Sequence, residues 1–178
     1  MLDHLARRGV VATFFLVGEQ VERYPSLAAE IAGAGHEIGI HGHAHTLLLR
    51  RTPRGLEHDL DRALAVIEDA TGRSPVSYRP PYGVFSAGGL ALCRRRGWDP
   101  ALWSRWGRDW PARATPEAIA RRASLGLTSG DIVLLHDADY YSSRDSWRRT
   151  VAALPAVVDS ALSVGVPLVR LTAGPGSD

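Results

Sequence analysis

Four of the chain's seven histidines fall within ten positions, in the run HEIGIHGHAH from residue 36 to 45. His41 and His45 are four apart, which puts both imidazoles on one side of a helical turn; in a continuing strand His41, His43 and His45 would share a face. Either geometry can chelate a divalent ion. Zinc takes histidine nitrogens at about 2.0 to 2.1 Å, and a catalytic site typically has three protein ligands plus a water. A lone histidine is more often a plain polar residue, but a cluster at a strand end favours metal binding. His36 precedes the strand and would lie at its opposite end, while His4 and His58 fall on helix-like surfaces, so these three stay outside the candidate set.

Three other clusters carry reactive types. In YRPPYG, residues 78 to 83, two prolines and a glycine make a rigid turn that can aim Arg79 and present the backbone N–H of Tyr82 at a fixed point. Such an N–H is an oxyanion donor in the making, and a purely structural turn gives no reason for the arginine. In IVLLHDAD, residues 132 to 139, an apolar run delivers His136 at its end, where a carboxylate could support it as a general acid. Asp109 and Trp110, in GRDW, offer a charge partner and an apolar wall, a weak signal when taken alone.

Each cluster directly follows a strand candidate. Period-two and short apolar runs predict strands over 10–17, 37–41, 76–79, 101–103, 132–136 and 167–171. Helical spacing and capping signals predict helices over 21–34, 53–70, 87–96, 116–125 and 147–164. Alternating β and α units imply an α/β fold, in which loops at the carboxyl ends of parallel strands converge on one face. At 178 residues with no linker or repeat, one domain over 1–173 suffices, followed by a frayed tail over 174–178.

Composition closes several alternatives. A 45% hydrophobic, 22% charged chain is not a disordered one. The net charge of +2, with arginine clusters at 94–96 and 121–122 inside helical runs, argues against a nucleic-acid-binding stripe. Cys93 is alone, so no internal disulfide forms. No apolar run approaches the roughly 18 to 20 residues of a membrane span, and MLDHLARRG lacks the apolar centre of a secretory signal.

The ordered series ATFFLVG (12–18), GHEIGIHGHAH (35–45), YRPPYG (78–83), RDW (108–110) and IVLLHD (132–137) resembles the polysaccharide deacetylase family, carbohydrate esterase family 4, over nearly the whole chain. The resemblance implies a distorted (β/α) barrel and a divalent metal, usually zinc, that hydrolyses acetyl groups from an acetylated carbohydrate. It makes His41 and His45 metal ligands, Arg79 the support of a catalytic aspartate, and Tyr82 the oxyanion N–H donor. Asp109 then tunes His136, the acid that protonates the departing amine, while Trp110 and Tyr82 face substrate.

Two departures qualify it. The family's Thr-Phe-Asp-Asp-Gly signature supplies the base and a third metal ligand on the first strand, and it belongs about one short helix before ATFFLVG. Only MLDHLARRGVV stands there, helix-like, and Asp3 inside it is no substitute. The expectation is therefore a barrel lacking its first strand, with metal retention and activity impaired. Many relatives work outside the cytoplasm, and any export signal would lie in the same upstream segment, which leaves localisation undetermined. At position 42 the family usually has Ser or Thr and this chain has Gly, removing a side chain able to brace the metal loop. His43 either turns inward as a third nitrogen or faces outward, the latter being the expectation. The alternatives to a deacetylase are a non-catalytic relative holding a glycan through Trp103, Trp106, Trp110 and Tyr82 and, less favoured, a basic nucleic-acid-binding module.

Overall fold

The computed structural model describes residues 1–172. In chain order the elements are α1 (Leu2–Ala6), β1 (Thr13–Leu16), α2 (Gly18–Arg23), α3 (Pro25–Gly33), β2 (Glu37–Ile40), α4 (Pro53–Thr71), β3 (Ser77–Tyr78), α5 (Ala87–Arg96), β4 (Asp99–Pro100), β5 (Arg105–Trp106), α6 (Pro116–Ser124), β6 (Val133–Leu134) and α7 (Ser146–Ser163). They form two compact units, one of Met1–Val11 with Trp103–Val169, the other of Ala12–Leu102 with the chain from Arg170. The tail expected at 174–178 lies outside the described residues.

The second unit is built on a parallel sheet in the order β1-β2-β3-β4. β1 and β2 pair in register from Thr13 with Glu37 to Leu16 with Ile40. Ile38, Gly39 and Ile40 are all buried, so β2 is covered on both faces, as parallel strands usually are. Gly39 is there because nothing else fits: a Cβ would stand 2.5 Å from the Phe15 ring and 2.8 Å from Ser77 Oγ. Helix α4 begins as its sequence predicts, with the Thr52 hydroxyl accepting from Gly55 N–H, Pro53 in the first turn and Gly72 in the left-handed conformation at the end. Its buried face is Leu56, Asp59, Leu60, Ala63 and Ile67. Each of the three large apolar side chains contributes about 1.5 to 3 kcal/mol by leaving water.

The first unit is smaller in sheet. β5 and β6 pair in parallel, Arg105 with Val133 and Trp106 with Leu134. Ala114, Ile119 and Ala153 form a core cluster against them with Leu135 and Ala120. Gly107 lets the strands close on α6, since a Cβ would meet Leu135 at 2.6 Å and Ile119 at 3.1 Å.

Five expectations shift in detail. The helix predicted over 21–34 is two, α2 and α3, broken at Tyr24 because Pro25 offers no N–H and disfavours helical geometry in the residue before it. The strand predicted over 10–17 is trimmed to Thr13–Leu16. That expected over 101–103 pairs two residues earlier, at Asp99 and Pro100, with Ala101 N–H still reaching Tyr78 O at 2.9 Å. Residues 167–171 form no strand; Leu171 N–H bonds Thr13 Oγ1 and Thr172 bonds Glu37, side chains in place of a ladder. β5 lies in SRWGRDW, where polar residues hid it.

His36 is buried where β1 begins. Ala12 N–H donates to its Nδ1 at 3.2 Å, which requires that nitrogen unprotonated, and burial holds the imidazole below its ordinary value of 6.5. As pH falls through 6.5 the unfolded chain binds the proton before the folded one does, so stability present above 6.5 drains away below it. Urea unfolding between pH 7.5 and 5 should therefore show a steeper loss in wild type than in His36→Asn, whose amide oxygen can take the same N–H. Equal slopes would show that His36 titrates freely in the fold.

Candidate active site

In the second unit the histidine loop starts where β2 ends. His41 N–H still donates to Leu16 O at 2.9 Å, extending the ladder by one residue. The His41 Nδ1 lies 2.7 Å from Arg79 O. A carbonyl can only accept, so Nδ1 carries the proton and, in the neutral ring, Nε2 carries the lone pair. The His45 ring stands 5.1 Å from that of His41 and 4.8 Å from that of Tyr82. His41 and His45 are thus brought together as their spacing suggests.

His43 takes neither of its expected positions. It is buried, with Nε2 3.3 Å from Glu22 Oε1 on α2, and serves as a structural partner of that carboxylate. Hydrogen bonds from Arg62 and then His43 hold Glu22 below the usual carboxylate range. Among the described residues no group of three or more His, Cys, Asp or Glu side chains is placed to hold a metal ion. The imidazole pair suits a borderline-soft divalent cation in ligand type and tautomer, but two nitrogens do not make the three-ligand catalytic set.

The turn after β3 delivers Arg79 and Tyr82. Arg79 is buried, its guanidinium 4.1 Å from the centre of the Phe15 ring and its Nη2 donating to Leu102 O at 2.9 Å. Burial pulls its pKa down to about 10, leaving it a cation at neutral pH. Pro80 and Pro81 lead into Tyr82, which adopts φ 61°, a left-handed conformation costly for a side chain with a Cβ, and Gly83 N–H closes the turn on Pro80 O at 3.0 Å. The Tyr82 ring is exposed beside His45, and with Thr46, Leu47, Arg50 and Arg51 these two residues line an open cavity of about 760 Å³.

In the first unit Asp109 and His136 meet. Asp109, fully buried, follows β5; His136 follows β6. Asp109 Oδ1 accepts from His136 Nδ1–H at 2.7 Å, and Oδ2 accepts from His136 backbone N–H at 2.7 Å and from the Thr150 hydroxyl at 2.8 Å. Burial works to raise the carboxyl, but the bonds from His136 and Thr150 together outweigh it and hold Asp109 below its ordinary value of 3.8. The stability it contributes is present above that value and lost as pH falls through the lower folded one. The Trp110 and His136 rings are nearly perpendicular, with centroids 6.4 Å apart, and Trp110 stacks on Trp106 at 4.6 Å. Thr150 and Asp59 are the polar participants that motif reading missed. Both are polar residues on otherwise apolar helix faces, and that mismatch was the available signal.

An α/β fold with a paired-histidine loop and a buried Asp–His pair at strand ends defines the class, and the family model described as polysaccharide deacetylase matches residues 1–100. The chain belongs to the polysaccharide deacetylase family. It is 32% identical over 175 residues to the peptidoglycan-N-acetylglucosamine deacetylase of Bacillus cereus, covering 97% of this chain and 78% of that one. Among solved structures, the Bc1960 peptidoglycan N-acetylglucosamine deacetylase superposes with a TM-score of 0.88 at 25% identity, over 96% of this chain and 77% of the other. A family 4 pseudoenzyme from Bacillus anthracis superposes with a TM-score of 0.86 at 25% identity, over 96% and 57%. The α/β fold expected from the sequence is the fold of these deacetylases.

The Asp109 contact dictates a tautomer. Two-dimensional ¹H–¹⁵N spectra of the ring nitrogens at pH 8 should show His136 protonated on Nδ1 in wild type and shifted toward Nε2 in Asp109→Ala. An unchanged tautomer would mean that the contact does not orient the ring.

Proposed function

We propose that this protein acts as a deacetylase, hydrolysing the N-acetyl amide, or an O-acetyl ester, of an acetylated sugar polymer. The observation that carries the reading is the buried Asp109–His136 pair. With Nδ1–H committed to Asp109, His136 Nε2 is the atom that holds and releases a proton, and the buried carboxylate stabilises the imidazolium. That proton goes to the departing amine. Arg79 would steady the base carboxylate of a Thr-Phe-Asp-Asp-Gly strand, which would take the proton from water once that strand is present, and the Tyr82 N–H would meet the charge on the tetrahedral carbon's oxygen. Trp110 supplies an apolar wall against the acetyl methyl or the sugar face. His41 and His45 would hold a divalent cation, zinc by ligand type, which when bound would supply Lewis-acid chemistry toward an acetyl carbonyl and a water. Peptidoglycan is the polymer named for the Bacillus cereus relative, and an N-acetylglucosamine polymer is the substrate class we assign. Among the described residues no helix is long and apolar enough to cross a membrane.

The base and third ligand are the weak point. Among the described residues two imidazoles stand without an anionic ligand and would lose the cation readily, so this chain should shed zinc on desalting and release little acetate. A non-catalytic glycan-binding relative is the second reading, favoured by that same two-ligand set and by the likeness to a pseudoenzyme.

Acetate release from N-acetylated chito-oligosaccharides and peptidoglycan separates the two. Adding a Thr-Phe-Asp-Asp-Gly strand ahead of Met1, from the in-frame upstream sequence or by fusion, should bring stoichiometric zinc and turnover. In that form His136→Ala should cut the rate by about 10²- to 10⁴-fold with zinc content unchanged. Glycan binding without turnover in the extended form would favour the second reading, and loss of zinc in His136→Ala would mean that His136 is a ligand.

A further inference from the structure

We infer that Asp59 is a positioning residue, clamping the loop between His41 and His45 so that their imidazoles converge; this rests on the reading of that pair as cation ligands. The loop leaves β2 with peptide groups that the sheet no longer pairs, and five of them, from Gly42 O to Ala44 O, find partners elsewhere. Gly42 O and His43 O accept from Gly18 N–H and Glu19 N–H at the start of α2, each at 2.9 Å. Ala44 O accepts from Thr46 N–H at 2.8 Å. The two donors facing α4 go to a single carboxylate: His43 N–H to Asp59 Oδ2 at 2.9 Å and Ala44 N–H to Asp59 Oδ1 at 3.3 Å.

Asp59 is 8% exposed and is the only charged residue on the buried face of α4. Its position there costs desolvation that an apolar residue would avoid, which the two N–H donors and Arg51 Nη2 at 3.0 Å offset. Arg51 also donates to Thr46 Oγ1 at 2.8 Å, tying the carboxylate to the residue just after His45. The His43 side chain, held by Glu22, anchors the opposite side of the loop.

Gly42 belongs to the same device. Its φ of +88° is a backbone conformation that disfavours any Cβ, and a Cβ built there would stand 3.2 Å from Asp59 Oδ2 and 3.3 Å from Ala44 O. The Ser or Thr of the family pattern would therefore crowd the carboxylate that braces this loop. The bracing expected to be lost with that side chain comes instead from helix α4.

The test uses the full chain, with Asp59→Asn, Gly42→Ala and, as a control in the same helix, Ile67→Val. Asp59→Asn keeps one acceptor oxygen and turns the other into an NH₂ that must face one of the two N–H groups; Gly42→Ala leaves α4 intact. Amide hydrogen exchange at His43 and Ala44 and zinc affinity by calorimetry at millimolar zinc are read together. Both loop variants should speed exchange at those two amides and weaken zinc about tenfold or more, while the His41 amide keeps its protection and Ile67→Val changes neither readout. Unaltered exchange at His43 and Ala44 would overturn the clamp itself. Faster exchange with unaltered zinc affinity would overturn the positioning role and leave the ligand reading standing. A wild-type chain that takes up no zinc overturns the ligand reading, and the positioning role with it, even where the amides respond.

Discussion

A chain leaving the end of a parallel strand carries N–H groups that no ladder satisfies, and burying them unpaired costs about 1 to 3 kcal/mol each. Both halves of this protein's candidate chemistry sit at such exits, and both solve the problem with a buried aspartate. After β2, Asp59 accepts the N–H groups of His43 and Ala44. After β6, Asp109 accepts the N–H of His136 together with its ring Nδ1–H. Placing an acceptor-only side chain under the strand end fixes the loop backbone and, through it, the direction of the histidines it carries.

The same constraint sets the protonation of the imidazoles. His41 gives its Nδ1–H to Arg79 O, His136 gives its own to Asp109, and His36 takes an N–H from Ala12. The partner atom decides the role. A carbonyl or carboxylate leaves Nε2 as the working atom of His41 and His136, while an N–H donor makes His36 an acceptor that burial keeps neutral. Histidines of one sequence cluster thereby separate into a ligand candidate at His41, a structural partner of Glu22 at His43 and a core acceptor at His36.

Much of this was legible in the sequence, for physical reasons that differ by element. Helix α4 announced itself because cap, proline, apolar spacing and terminal glycine all agree; α5 carries part of the set in Ser86 and Gly97, and α6 another part in Thr115 and Pro116. His41, His45, Arg79 and His136 stood out because reactive residues at strand exits break the apolar pattern around them, whereas Asp109 was a weak signal that the family resemblance alone singled out. What hid was whatever depends on another element. β5 is two residues long and is defined only by pairing with β6. The split between α2 and α3 needed the weight of one proline against an otherwise helical run. Asp59 breaks the apolar face of α4, but only its partner amides at positions 43 and 44 reveal why it faces inward.

The balance of parts bears on how such a chain could work. The Asp–His pair is assembled within the first unit: carboxylate, imidazole and a threonine hydroxyl that gives Asp109 Oδ2 its second donor. In the second unit the histidine loop is braced from Gly42 O to Ala44 O, and the described residues there offer two imidazole nitrogens. Bracing of that quality is costly to build, since it buries Asp59 and forces glycine at position 42 with φ of +88°. A loop ordered only for packing gains nothing from two imidazoles held 5.1 Å apart with one tautomer already fixed. Preorganisation at that expense fits a ligand pair whose remaining donor is carboxylate oxygen, because the nitrogens arrive pre-oriented and only one further charge is needed to close the shell.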